Sequence, residues 1–121
     1  MHAPTEERRI ATRFPIRVEL KLLAPAQHLL LLSHTLNLSL EGALVRAGRE
    51  IPVGTRVQVS LFRDELHSPL QLEAEVVRLA GGGGGRVPGI GLRFAVMSDV
   101  DRNTLIGIIE RRGHNVADAR V

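Results

Sequence analysis

Three arginines within six residues, Arg8, Arg9 and Arg13, stand directly before the first stretch of alternating apolar residues. Guanidinium groups stay protonated at any working pH, so crowding them is unfavourable unless an anion neutralises them. Their planar forks match phosphate oxygens and the acceptor edge of guanine. The same residues also read as a solvated basic tail paired with Glu6 and Glu7, a pairing worth little in water. A second cluster, Asn37-Leu-Ser-Leu-Glu-Gly42, offers an amide and a hydroxyl on one turn, with a glycine that permits close backbone approach or a positive φ. Such a turn is either a cradle for a base or phosphate, or an ordinary turn made from the usual turn formers.

Other chemistries find less support. Cysteine is absent, which removes disulfides, thiolate nucleophiles and cysteine metal ligands. The histidines at 2, 28, 34, 67 and 114 are scattered, and no His-Glu or H-x-x-x-H spacing appears, so neither a catalytic nor a metal site is expected. Glycines 81 to 85 lack the Lys-Ser/Thr and following helix of a phosphate-binding loop and read as a hairpin tip. Sixteen basic against thirteen acidic residues give a net charge of +3, but only Lys21 is a lysine. The arginine bias fits anion recognition, or merely a GC-rich genome. Nucleic-acid binding on a small β fold usually needs aromatic platforms. Here Trp and Tyr are absent, and of Phe14, Phe62 and Phe94 the last two fit core positions of their strands.

The elements that must position the two clusters are mostly strands. Period-two alternation runs from Pro15 to Leu23, from Arg56 to Phe62 and from Leu70 to Leu79. Leu29 to Leu32, read as buried on both faces, Ala43 to Val45, and Ile90, Leu92 and Phe94 supply three more. Six short strands separated by turns predict a closed or nearly closed antiparallel barrel. Ile51-Pro-Val-Gly54 is one such turn. The period then changes. Ser98-Asp-Val-Asp101 reads as a helix cap, Leu105, Ile108 and Ile109 recur at helical spacing, and Gly113 offers a stop, which predicts a helix of about four turns. The length of 121 residues fits one domain. The first residues, MHAPTEERR, hold no apolar core of signal-peptide length, and no segment reaches the roughly 18 apolar residues of a membrane span, so a soluble, cytoplasmic protein without membrane insertion is expected.

Taken in order and at this separation, RRIATR and NLSLEG resemble the paired motifs of the PilZ domain family, R-x-x-x-R and [D/N]-x-S-x-x-G. The likeness extends through the PVGT turn, the GIGLRF strand and the MSDVDR helix start. It implies an all-β fold with one helix, a six-stranded antiparallel β-barrel plus a C-terminal α-helix. Residues 1–13 would form a ligand-binding loop, 14–113 the barrel and helix, and 114–121 a tail.

The implied ligand is cyclic di-GMP, with no cofactor and no catalysis. Arg9 and Arg13 would clamp phosphate and guanine, Asn37, Ser39 and Gly42 would meet the second guanine, and Arg8 would favour two ligands per chain. The loop would fold across the barrel when ligand arrives, and the signal would pass to an unknown downstream protein from a monomer or a ligand-dependent dimer. An interaction module of the same fold that binds no nucleotide is the rival reading, and a nucleic-acid-binding barrel a more distant one.

Overall fold

A computed structural model describes residues 12–81, 88–114 and 116. Six strands, β1 (Glu19–Ala24), β2 (Leu29–Leu38), β3 (Gly42–Arg46), β4 (Arg56–Leu61), β5 (Leu70–Ala80) and β6 (Gly89–Phe94), precede one helix, α1 (Asp99–Arg111). All neighbours are antiparallel, and the order β1-β2-β3-β6-β5-β4 closes on itself through the β1–β4 pairing. The expected barrel with a C-terminal helix is therefore the observed fold.

Alternation explains the closure. Leu20 and Leu22 of β1, Val57, Val59 and Leu61 of β4, Leu70, Leu72, Ala74 and Val76 of β5, and Ile90, Leu92 and Phe94 of β6 are all buried. They fill the barrel, and their polar neighbours face out. Leu105, Ile106, Ile108 and Ile109 of α1 join the same core. Ser98 caps the helix as expected, its hydroxyl accepting from the Asp101 amide at 3.0 Å. Gly113 follows the last turn at φ +90, and Gly54 takes φ +96 in the turn before β4, conformations in which a side chain would be strained.

Four expectations need correction. The ladder of β1 begins at Glu19 rather than near Pro15. The buried Ile16 and Val18 are held instead by Thr35, whose hydroxyl donates to the Ile16 carbonyl at 2.7 Å and accepts from the Val18 amide at 2.9 Å. Strand β2 runs on to Leu38, so Asn37 lies inside it and only residues 39–41 turn. Leu29 to Leu32 is not buried on both faces. Leu30 and Leu32 are 57% and 69% exposed, because their β1 neighbours Leu23 and Lys21 point outward with them and no layer among the described residues covers that face. Phe62 follows the inward Leu61 and is consequently exposed, while Phe94 is buried as expected. Of segment 114–121, His114 is half-buried and Val116 buried. Glycines 82 to 85 of the expected hairpin tip lie outside the described residues.

Candidate ligand-binding face

The two sequence clusters meet at one end of β2. Phe14 pairs with Leu38 in an isolated antiparallel bridge, with both main-chain hydrogen bonds at 2.9 Å. In antiparallel pairing, one step back on one chain is one step forward on the other. Arg13, which is exposed, thus falls one register step beyond the bridge, opposite Ser39. Phe14 packs against the core and against the His114 ring, with centroids 4.9 Å apart and planes tilted by 48°. This contact ties the arginine segment to the end of α1. Arg8 and Arg9 lie outside the described residues.

Within the turn, each motif residue has a distinct physical task. The buried Ser39 hydroxyl accepts from the Glu41 and Gly42 amides at 3.1 Å and donates to the Gly42 carbonyl at 3.2 Å. Its hydrogen-bonding capacity is spent on the turn, so Ser39 shapes the face rather than reaching from it. Asn37 Oδ1 accepts from the Leu44 amide at 3.2 Å, which fixes the half-buried amide group across β2 and β3. Gly42 is a close-approach glycine, without a positive φ. A Cβ there would overlap the Leu92 carbonyl oxygen of β6 and lie 3.1 Å from its carbonyl carbon.

We expect Ser39→Ala to leave the Glu41 and Gly42 amides unsatisfied and to cost about 2 kcal/mol of stability by urea denaturation. Its loss of affinity should be smaller than that of an arginine variant. An unchanged urea midpoint would show that the hydroxyl does not hold the turn.

A cross-strand row extends the face beyond the motifs. Asn37 pairs with Leu44, Leu44 with Gly91, and Gly91 with Arg78, so the row crosses β2, β3, β6 and β5. The adjacent row runs from Gly42 to Arg93 to Glu75, and Arg93 and Glu75 form an exposed ion pair at 3.5 Å. Sequence reasoning missed Arg78, Gly91 and Arg93. The available signals were the spaced glycines of GIGLRF and the point where the alternation of β5 fails. Two carboxyls are held below their ordinary range, Glu19 by its hydrogen bond from Arg17 and Asp64 by that from His67. Glu19 lies on β1 and Asp64 between β4 and β5, in neither row. Among the described residues, no group of His, Asp or Glu is arranged to hold a metal.

Comparison with known proteins gives a consistent picture. A family model described as the PilZ domain matches residues 7–111. Three solved structures share the fold: the Bacillus subtilis inhibitor of motility MotI/DgrA (TM-score 0.70, 18% identity, covering 91% of this chain), the PilZ domain of CeSA from a cellulose-synthesizing bacterium (0.63, 21%, 85%), and Escherichia coli YcgR in complex with c-di-GMP (0.68, 19%, 87%). The chain spans about half of two of them, 56% of the motility inhibitor and 46% of YcgR, and 99% of the CeSA domain. No curated protein matches the sequence.

Proposed function

The chain belongs to the PilZ domain family, and on that premise we propose that it is a receptor for cyclic di-GMP that performs no chemistry on its ligand. The observation that supports this reading most is the Phe14–Leu38 bridge, which brings Arg13 into register with Ser39 of the Asn37–Gly42 segment. An exposed arginine fork in register with a half-buried polar segment suits a ligand that is anionic at its phosphates and offers acceptor edges on its bases. The similarity to YcgR, whose structure holds c-di-GMP, supports the same ligand.

In this reading Arg9 and Arg13 clamp the phosphates and one guanine. Asn37 contacts the second base, and Ser39 and Gly42 provide the shape on which it rests. Arg8 sets a stoichiometry of two ligands per chain. Binding closes the arginine segment over the barrel, and the signal passes to a partner protein in the cytoplasm. The Phe14–His114 contact supports such transmission, since a shift of the arginine segment is felt at the end of α1. Among the described residues, no helix is long and apolar enough to cross a membrane. The rival reading, an interaction module without a nucleotide, draws on the burial of the Ser39 hydroxyl.

Equilibrium dialysis against cyclic di-GMP, GTP and ATP separates the two. We expect retention of cyclic di-GMP alone, at two per chain in the wild type and one in Arg8→Leu. Equal retention of all three would mean a generic anion site. Unchanged stoichiometry in Arg8→Leu would remove the role given to Arg8.

A further inference from the structure

Strand β2 is longer than the ladder beside it. It pairs with β1 from Leu29 to His34, but its pairing with β3 begins only at Thr35, opposite Val45. Strand β3 ends at Arg46, whose carbonyl accepts from the Ser33 hydroxyl at 2.6 Å. Residues 29–34 therefore have β1 on one side and, among the described residues, no strand on the other. The overhang is bounded by the 3₁₀ turn Pro25–Gln27 and by a β-bulge, where the register slips between Thr35 and Asn37; β5 carries a second bulge between Val76 and Arg78.

Main-chain direction identifies the groups on this open side. The Thr35 amide donates to the Val18 carbonyl, on the β1 side of β2, and successive residues of an antiparallel strand bond to opposite sides. Leu29, Leu31 and Ser33 thus bond to β1, and the amides and carbonyls of Leu30 and Leu32 point to the open edge. The side chains here are apolar on both faces. Leu30 and Leu32 are exposed on the outer face, while Leu29 and Leu31 point inward and are only half-buried, although Ala24 and Leu22 opposite them are fully buried. An inward leucine is left partly uncovered where the sheet ends beside it. Sheet edges are ordinarily blunted by charge or proline. From Leu22 to Leu40 there is no Lys, Arg, Asp or Glu, and Leu29 to Leu32 holds no Pro.

We propose that the 29–34 edge of β2 pairs with the same edge of a second copy of this chain, antiparallel about a two-fold axis at Leu31. A two-fold axis brings identical strands together antiparallel, and it sets Leu30 of one chain opposite Leu32 of the other. Those are the residues whose main-chain groups face outward from the ladder, so each such pair exchanges both hydrogen bonds. The side chains match as well. Each outer row then reads Lys21, Leu32, Leu30, Leu23 across four strands, three leucines with one charge at the end. On the inner side the half-buried Leu31 of each chain meets the other. Charge favours a second copy at this place: the chain carries +3, and this edge sets no like charges against each other. Pairing uses up the edge in both chains, so association stops at two. The edge lies on the half of β2 away from the Asn37–Gly42 segment, and the proposal does not rest on the ligand reading.

Sedimentation velocity of the unliganded chain, from low to high micromolar, tests it with Leu32→Lys, Leu32→Pro and, as a control at a 90% exposed site outside the strands, Leu66→Lys. Thermal melts establish that each variant is folded. The wild type and Leu66→Lys should reach twice the 13.2 kDa of one chain as concentration rises. Leu32→Lys should remain monomeric, because it sets an ammonium among the leucines. Leu32→Pro removes only a donor that faces the open edge, where proline is tolerated; it should weaken dimerisation about thirtyfold, since the two-fold removes that donor from both chains. Hydrogen exchange on the wild type supplies a readout free of substitution, with the Leu30 and Leu32 amides slowing as the dimer forms. A wild type that stays monomeric throughout overturns the proposal, as does slow exchange of those amides in the monomer, which would mean that another segment of the same chain covers the edge. A dimer that survives Leu32→Pro but not Leu32→Lys would be held by leucine faces rather than strand pairing. Species that grow beyond two copies would overturn the two-fold.

Discussion

Arg13→Ala is expected to weaken cyclic di-GMP binding by on the order of 3 kcal/mol, roughly a hundredfold, the scale for removing a charge-assisted bidentate contact from a partner that stays desolvated. The fold should be unaffected. Arg13 is exposed, while its neighbour Phe14 carries the attachment to the barrel through the bridge to Leu38, the core contact and the His114 ring. A thermal melt of the unliganded variant should therefore stay close to that of the wild type, shifted by no more than the loss of one exposed polar contact. Arg13→Lys should recover only part of the affinity, since a point charge replaces a fork. Wild-type affinity in Arg13→Ala would mean that the arginine beside the turn is a solvated charge, and the site would have to be sought elsewhere.

Gly42→Ala is expected to act through the fold first. The added methyl group would meet main chain, the carbonyl of Leu92, which cannot swing away as a side chain would. Either β3 and β6 separate along their shared ladder, or the turn held by Ser39 deforms. Both routes cost stability, about 2 to 4 kcal/mol in line with overpacked sites, and both move Asn37 and Leu44 out of register. The measurement is a urea titration, with the midpoint shifting down. Binding should fall in parallel, because the Asn37–Leu44 hydrogen bond depends on that register. A midpoint equal to that of the wild type would show that the β3–β6 contact is not tight enough to require glycine.

These two residues differ in how visible they are before a structure is known. Arg13 and Gly42 both stand out as motif members, but only coordinates divide them into an exposed charge and a steric necessity. Glycine serves positive φ and close approach alike, and the sequence is the same for both. The barrel was legible because its inward positions alternate without interruption in β4 and β6 and as far as Val76 in β5, and the helix because Ser98 and Gly113 bracket an apolar stripe.

The bulges were not legible. Leu36 and Val77 are ordinary strand residues, and nothing in their type signals that the strand gains a residue there. For that reason the sequence pattern places Asn37 in a turn although it lies in a strand, and gives no ground to single out Arg78. Leu29 to Leu32 illustrates a second limit. A run of four leucines has no period, so burial on one face or two is decided by what packs outside, and on the outer side nothing among the described residues does.

In the proposed function, one face built from Arg13, the Asn37–Gly42 segment and the row behind it binds a cyclic dinucleotide. Calorimetric titration of cyclic di-GMP into the wild-type chain and Arg13→Ala tests it most directly. A saturable heat is expected in the wild type at micromolar ligand, nearly abolished in Arg13→Ala, with both proteins folded. A folded wild type that stays silent through high micromolar ligand would contradict it.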